Sequence, residues 1–199
     1  MGRILSIDFN VVEHCKSEHA SKDSGVLWHS VLYLGSCRDA PSDANRKRPK
    51  KNQELSNLLN ELESYIGLNS VKDEITKIIN YQKIQSERFK YGLGKEVFNK
   101  HMVFYGPPGT GKSEIARLVG RIFNALGVLS KGHFIETERS ALVAGHLGQT
   151  AIKTKNILES ALGGILFIDE AYTLTANQES FDFGGEAIST ILKYMEDHR

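Results

Sequence analysis

One stretch of eight residues constrains the fold of this chain more than any other: Gly106-Pro107-Pro108-Gly109-Thr110-Gly111-Lys112-Ser113. It matches the pattern G-x-x-x-x-G-K-[ST] at every fixed position. The residues before it, 101–105, have the pattern of a strand, and those after it place apolar side chains at helical spacing. Because a strand, a glycine loop and a helix in this order form a phosphate cradle, the sequence predicts a triphosphate site, against the alternative of a plain Gly/Pro turn.

The chemistry of a triphosphate gives each part of the loop a role. Glycines allow backbone angles and close approaches that side chains would block, so the loop N–H groups can point at phosphate oxygens. Lys112 is expected to reach the β- and γ-phosphates, and the Ser113 hydroxyl is expected to bind Mg²⁺. The predicted cofactor-binding residues of this segment are Pro108, Gly109, Thr110, Gly111, Lys112, Ser113 and Glu114.

A pair of acids, Asp169-Glu170, follows the apolar run Ile165 to Ile168. Four consecutive apolar residues are typical of a strand buried on both faces, as in a parallel sheet. Asp169 is predicted to hold Mg²⁺ opposite Ser113, and Glu170 to orient and deprotonate the attacking water. Lys112 and Glu170 are therefore the predicted catalytic residues. Two acids after a strand could instead cap the next turn, but the phosphate loop upstream favours the functional interpretation.

Strand and helix patterns alternate along the rest of the chain, which predicts an α/β fold with a parallel sheet flanked by helices. The ligand is expected at the carboxyl ends of the strands. Ser70 is a candidate N-cap. A further strand is predicted at 133–137. Four apolar stripes at helical spacing predict four more helices. The residues of these stripes are Leu55, Leu58, Leu59 and Leu62; Val71, Ile75, Ile78, Ile79 and Ile84; Ile152, Ile157, Leu158 and Leu162; and Ile188, Ile191, Leu192 and Met195.

Residues 1–37 are predicted to form an N-terminal appendage, followed by a basic linker at 38–54. The appendage holds two apolar pieces: 4–12 alternates like a strand, and 26–34 could be a strand or a short helix. The basic cluster 46–51 is interpreted as a solvated tether, because no aromatic residues interleave with its charges as in single-strand nucleic-acid binders.

Composition excludes several classes of function. A net charge of +1 over 199 residues gives no general attraction to nucleic acid, and no apolar run approaches the length that crosses a bilayer. Cys15 and Cys37 lack metal-ligand spacing and fit a reducing cytosol, so a cytoplasmic location is expected. His14, His19 and His29 match no metal-binding pattern.

The motifs and their spacing resemble the AAA+ ATPases, through GPPGTGKS and ILFIDEAYTL. The resemblance covers residues 62–199, and within the AAA+ ATPases this part of the chain looks most like the CbbX / stage V sporulation protein K group. The segments that carry it are IGLNSVKDEI (66–75), LVAGHLGQTAIKTK (142–155), ALGGILFIDEAYTL (161–174) and FGGEAISTILKYMEDHR (183–199).

The resemblance implies a chain that binds ATP with Mg²⁺, hydrolyses it, and assembles as a ring homo-oligomer, a hexamer, that pulls a protein substrate through a central pore. Ile66, Gly67 and Leu68 match the family segment that packs on adenine. The loop Ala144 to Gly148 matches the pore loop that grips substrate. Members of the family usually have an aromatic residue, often Tyr, at the position of His146. A weaker grip on the protein substrate is therefore expected of this loop.

By the same resemblance, residues 55–199 form a partial ATPase core, incomplete at the C-terminus because the family continues into a further strand, an arginine finger and a helical lid. Without that strand, the phosphate-loop strand and the strand of 165–168 are expected to lose a shared partner, at about 1–3 kcal/mol for each ladder group kept from water. Little or no ATP hydrolysis is expected of this polypeptide alone, because a transition-state arginine contributes roughly 10³–10⁵ in rate.

Three other functions remain open at this point. The main alternative is a nucleotide-binding interaction module without catalysis. A P-loop kinase is disfavoured by the Asp-Glu pair and by the absence of a recognisable acceptor-binding element. A nucleic-acid motor is supported only by the basic cluster 46–51.

Overall fold

The computed structural model describes residues 6–8, 27–33, 48–93, 101–146, 148–175 and 183–198. One sheet of five strands runs through them: β1 (Ser6–Asp8), β2 (Leu27–Tyr33), β3 (Met102–Gly106), β4 (Phe134–Thr137) and β5 (Ile165–Ile168). The helices are α1 (Arg48–Ser64), α2 (Asn69–Lys90), α3 (Lys112–Ala125), α4 (Arg139–Leu142), α5 (Gln149–Ser160) and α6 (Gly184–Asp197), with a 3₁₀ helix at Ala171–Thr175.

The strand order is β1-β3-β2-β5-β4. β4 pairs parallel with β5, and β2 pairs antiparallel with both β3 and β5, so β3, β4 and β5 all run in the same direction. β1 pairs antiparallel with the other edge of β3. The predicted α/β class with flanking helices is confirmed, but the sheet is mixed, because the two N-terminal strands oppose the other three.

The position of β2 corrects one expectation. The strand before the phosphate loop and the strand before Asp169 were expected to lack a shared partner. Instead, residues 27–31 of β2 pair with β3, and residues 30–33 pair with β5. The apolar piece 26–34 was expected to form either a strand or a short helix, and it contains the central strand of the sheet. This strand lies between the strand that precedes the phosphate loop and the strand that precedes Asp169.

Alternating residues of β3 and β5 feed two separate cores, as the period-two pleat of a strand requires. Met102, Phe104, Ile165 and Phe167 pack in one core with α1, α2 and α3. The residues between them, including Val103, Leu166 and Ile168, pack in the other core with helices α4, α5 and α6 and the 3₁₀ helix. All four residues of β5 are buried, which confirms the prediction of a strand covered on both faces.

Helix α1 begins at Arg48, inside the segment for which a linker was expected. Leu58 and Leu62 are buried against the core that α3 lines. Arg121 of α3 donates two hydrogen bonds to the Glu61 carboxylate, at 3.0 and 3.1 Å. The end of α1 is thus held against the helix that follows the phosphate loop.

Three details of the helices differ from expectation. Leu68 occupies the N-cap position of α2, so Ser70 lies in the first turn instead of capping it. Ile84 and Ile152, counted on apolar stripes, are exposed at 59% and 64%. Periodicity assigns a residue to a face of a helix, but it does not show how far the covering layer extends.

Some expectations lie outside the described residues, including those on Cys15, Cys37, His14 and His19. Within the described ranges, no helix is long and apolar enough to span a bilayer. The same ranges hold no group of three or more His, Cys, Asp or Glu side chains placed to share a metal ion.

Candidate functional site

The phosphate-loop motif joins β3 to α3 through a turn that depends on glycine. Gly109 and Gly111 have φ of 71° and 80°, in the left-handed region that side chains other than glycine rarely adopt. Gly111 is the N-cap of α3, and its carbonyl accepts the Ile115 N–H at 3.0 Å. The loop therefore sits at the N-terminus of a 14-residue helix, where backbone N–H groups and the helix dipole favour an anion.

Lys112 is the first residue of α3 and is only 6% exposed. Its Nζ donates hydrogen bonds to the carbonyls of Gly106, at 3.1 Å, and Pro107, at 2.8 Å. Burial lowers the pKa of the ammonium from its ordinary value, and the charge of Asp169 opposes that shift. Lys112 and Asp169, 57 residues apart in the sequence, thus interact electrostatically in the folded chain.

Asp169 and Glu170 follow β5 directly, at the carboxyl edge of the sheet. The Asp169 N–H donates to the Thr137 carbonyl at 2.8 Å, and Asp169 Oδ1 accepts the Glu170 N–H at 2.9 Å. Glu170 has a φ of 48°, an unusual value for a residue with a side chain. Its carbonyl accepts both the N–H and the hydroxyl of Thr173, at 2.8 and 2.7 Å, so the turn that carries Glu170 is fixed.

A cavity of about 440 Å³ opens beside these acids. Arg139 fixes one wall, because its Nη1 donates to the Thr173 carbonyl at 2.6 Å. Close by, burial raises the pKa of the Tyr172 hydroxyl, with the negative charge of Glu170 as the next cause. The cavity is lined by Glu138, Arg139, Ser140, Val143, Ala144, Asp169, Glu170 and Thr173.

The turn predicted to contact a nucleotide base, Ile66-Gly67-Leu68, joins α1 to α2. Gly67 and Leu68 both have positive φ, 80° and 59°, and the Ile66 side chain is fully exposed. Leu68 is partly buried against the core that α3 lines. The turn thus connects to the same layer of helices as the phosphate loop.

The predicted pore loop, Ala144 to Gly148, is anchored at its base and exposed at its tip. Thr150 Oγ1 accepts the Ala144 N–H at 3.0 Å, and Lys153 Nζ donates to the Val143 carbonyl at 3.0 Å. Gly145 and His146 are exposed, and Leu147 lies outside the described residues. This loop begins in the wall of the cavity that Glu170 also lines.

The remaining residues predicted to bind the cofactor lie in the phosphate loop and in the first turn of α3. Thr110 Oγ1 donates to the Pro107 carbonyl at 2.9 Å, which closes the loop on itself. Ser113 is half-buried in the first turn of α3, and Pro108 is exposed. The Glu114 carboxylate accepts a hydrogen bond from the Tyr65 hydroxyl at 2.9 Å.

Sequence reasoning missed three side chains near the site: Tyr65, Arg139 and Thr137. Thr137 ends β4 opposite Ile168, and its buried hydroxyl finds no hydrogen-bond partner among the described residues. A polar residue at the end of a predicted strand was the available signal for Thr137. Tyr65 and Arg139 contact residues that lie 49 and 34 positions away in the sequence, Glu114 and Thr173. A local sequence pattern does not indicate contacts over such separations.

Comparison with known proteins adds a family to this geometry. Residues 102–199 match the model of the "ATPase family associated with various cellular activities (AAA)". The chain is 44% identical over 156 residues to stage V sporulation protein K of Bacillus subtilis (strain 168), which covers 77% of this chain and 48% of that protein. It is 39% identical over 165 residues to the chloroplastic ribulose bisphosphate carboxylase/oxygenase activase of Cyanidioschyzon merolae, covering 82% of this chain and 56% of that protein.

A third relative is ESX-1 secretion system protein EccA1 of Mycolicibacterium smegmatis, 45% identical over 141 residues. That match covers 70% of this chain and 25% of the relative. The chain therefore spans about half the length of two of these relatives and a quarter of the third.

Proposed function

Because this chain belongs to the AAA ATPase family, we propose that it binds ATP with Mg²⁺ through the loop 106–113 and hydrolyses it with Glu170 as the base. The observation that carries the proposal is the environment of Lys112. Its ammonium is buried on the carbonyls of the phosphate loop, and the charge of Asp169, which follows β5, acts on it. A buried cation between a glycine loop and a carboxylate suits a polyanion that carries a divalent metal.

The loop fits a triphosphate on its geometry. A Cβ at Gly109 would meet nothing within 4 Å, so glycine is required there by its φ of 71° and not by crowding. Left-handed residues turn successive N–H groups towards one point, which makes a nest for an anion. Lys112 Nζ can exchange its two carbonyl contacts for phosphate oxygens, which are stronger acceptors because they are charged.

The donors for a magnesium ion are oxygen atoms, as this cation prefers. The Ser113 hydroxyl and the Asp169 carboxylate would supply two of these oxygens. When bound, the ion neutralises charge on the β- and γ-phosphates. Two hydrogen bonds fix Asp169 and support this role: its N–H donates to the Thr137 carbonyl, and its Oδ1 accepts the Glu170 N–H.

The surroundings of Glu170, which lines the cavity, support its proposed role as the base. It is exposed, and the turn that carries it is fixed by Thr173 and, through the Thr173 carbonyl, by Arg139. A base must lie within hydrogen-bond reach of the water it deprotonates, and a fixed turn preserves that geometry.

The proposals on assembly and substrate start from the family. We propose that the chain functions in a ring of six copies and that Ala144 to Gly148 contacts a protein substrate. The anchored base and exposed tip of this loop support that role, and its start in the cavity wall beside Glu170 offers a connection to the nucleotide.

The test is a pair of measurements on the 199-residue chain. Calorimetry gives the affinity for ATP with Mg²⁺, and a single-turnover assay with protein in excess over labelled ATP gives the rate of hydrolysis. Replacing Glu170→Gln should preserve affinity and slow turnover by roughly 10²–10⁴-fold, the usual contribution of a general base. The exposed Glu159→Gln on α5 is the matched control and should change neither.

Each outcome selects a function. Little hydrolysis is expected of this polypeptide alone, so affinity without turnover in the unmodified chain would favour a nucleotide-binding interaction module without deciding the role of Glu170. Equal turnover in Glu170→Gln and in the unmodified chain would reject Glu170 as the base. No ATP binding at all would reject the proposal entirely.

A further inference from the structure

The turn between α1 and α2 has a conformation that its residues do not favour. Leu68 has φ 59° and ψ 29°, the left-handed region, although leucine has a Cβ that crowds its own carbonyl there. The preceding Gly67 is left-handed as well, and Ile66 exposes its whole side chain. Such backbone persists only where the surroundings determine it, and it clusters at ligand contacts.

Two contacts hold this turn, one from each side. On the α2 side, Lys72 Nζ donates to the Glu63 carbonyl at 3.0 Å and lies 3.2 Å from the Glu63 carboxylate. On the α3 side, the Tyr65 hydroxyl donates to Glu114 Oε1 at 2.9 Å. The turn is therefore tied to the end of α1 by Lys72 and to the phosphate-loop helix by Tyr65.

The Tyr65 contact reaches the phosphate loop itself. Glu114 follows Ser113 in the first turn of α3, and its Oε2 lies 3.8 Å from the point where a Cβ on Gly111 would stand. The aromatic ring of Tyr65 packs against the core that α3 lines, so the hydroxyl is aimed by a fixed body. The hydrogen bond to Glu114 is also the largest cause of the raised pKa of Tyr65.

We propose that Tyr65 and Glu114 are positioning residues that hold the turn 66–68 against the phosphate loop, so that Ile66 is presented to the base of a nucleotide whose phosphates occupy the loop. The inference rests on the proposed function and adds residue-level control of base recognition. It also changes the role expected of Glu114, whose carboxylate serves the turn and not the nucleotide directly. An exposed apolar residue on a fixed turn suits the flat face of a base.

An alternative is that this is an ordinary surface contact, and surface contacts of this kind often contribute little. A positioning contact and an ordinary surface contact differ in their effect on binding of the two parts of the nucleotide, its base and its phosphates. A positioning role affects binding of the base, whereas a general loss of stability or of loop structure affects binding of the phosphates too.

The experiment compares ATP with inorganic tripolyphosphate, each titrated with Mg²⁺ by calorimetry. Tyr65→Phe should weaken ATP binding about three- to tenfold, the usual range for one lost hydrogen bond, and leave tripolyphosphate binding unchanged. The exposed Tyr91→Phe is the matched control and should change neither. Equal losses for both ligands, or no loss for ATP, would overturn the proposal.

A double-mutant cycle identifies the bond as the cause. If Tyr65 and Glu114 act through one contact, Tyr65→Phe in a Glu114→Ala background should weaken ATP binding no further. Independent, additive losses would overturn the pairing.

A readout without nucleotide separates this inference from the proposed function. Hydrogen exchange of the Lys72 backbone amide, which donates to the Leu68 carbonyl of the turn at 3.0 Å, should accelerate in Tyr65→Phe and stay unchanged in Tyr91→Phe. Unchanged exchange in Tyr65→Phe would overturn the positioning role whether or not ATP binds. Lack of ATP and tripolyphosphate binding by the unmodified chain, with faster exchange in Tyr65→Phe, would reject the proposed function and confine the tyrosine's role to fixing the turn.

Discussion

If β2 lies between β3 and β5, cysteines placed at residues 30 and 103 should form a disulfide in the folded chain. Ser30 stands directly opposite Val103 in the antiparallel pair. Opposite residues in such a pair have Cα atoms about 4.5–5.5 Å apart, within the range that a disulfide bridges. Both substitutions change side-chain volume little, and the background would carry Cys15→Ser and Cys37→Ser.

The expected gain follows from the length of the loop that the bond closes. The bond closes a loop of about 74 residues, counting both cysteines, for which the chain-entropy relation gives a stabilisation of about 4.4 kcal/mol. Engineered bonds usually deliver less, so we expect about 2–4 kcal/mol. For a chain of this size that corresponds to a rise in Tm of roughly 4–16 °C on oxidation, at about 2–4 °C per kcal/mol.

The assay is non-reducing electrophoresis for the bond and thermal unfolding with and without reductant for the gain. A control with His29→Cys and Val103→Cys is slipped by one residue, which places the two thiols on opposite faces, so it should cross-link poorly. Because Ser30 also stands opposite Ile168, Ser30→Cys with Ile168→Cys should cross-link as well. Cross-linking by the slipped pair alone, or failure of both Ser30 pairs to cross-link, would refute the central position of β2.

Two further predictions concern the phosphate loop. Gly111→Ala should destabilise the chain by about 1–2 kcal/mol, because the φ of 80° at this position is unfavourable for a residue with a Cβ. The control is Gly185→Ala at the start of α6, which should not destabilise the chain because a Cβ there meets open space. Denaturant unfolding measures the stability of both variants. Burial lowers the pKa of Lys112, so the unfolded chain binds more protons than the folded one between that lowered pKa and 10.5. The unfolding free energy of the unmodified chain relative to Lys112→Met should therefore rise from pH 7 to pH 10. A fall with pH would contradict the sign of the shift.

The parts of the fold that depend on local pattern could be predicted from the sequence. β5 was predicted with its observed bounds, because four apolar residues are framed by Gly163-Gly164 and by two acids. Helix α3 was predicted with its buried face, because Ile115, Leu118, Val119 and Ile122 keep helical spacing.

The parts that depend on distant partners could not. The run that forms β2 is too short and too uniformly apolar for its period to separate strand from helix. Its pairing joins residues about 70 and 140 positions apart, and its antiparallel direction has no local signal. The expectation of unpaired strands therefore came from the resemblance and was wrong, because a segment outside the resemblance lies in that place.

The candidate site shows the same division. The spacing of the glycine loop and of Asp169-Glu170 predicts which residues belong together, because each follows the carboxyl end of a strand. The bond from Tyr65 to Glu114 and the positive φ of Leu68 arise from how α1 packs on α3, which no short window of sequence contains.

The central claim is that the loop 106–113 binds a magnesium triphosphate through Lys112. Titrating the chain with labelled ATP, with and without Mg²⁺, tests it most directly when the Lys112→Ala variant is measured beside it. ATP binding should be saturable, should require the metal and should be lost in the variant. Absence of saturable binding, or equal binding by the Lys112→Ala chain, would contradict it.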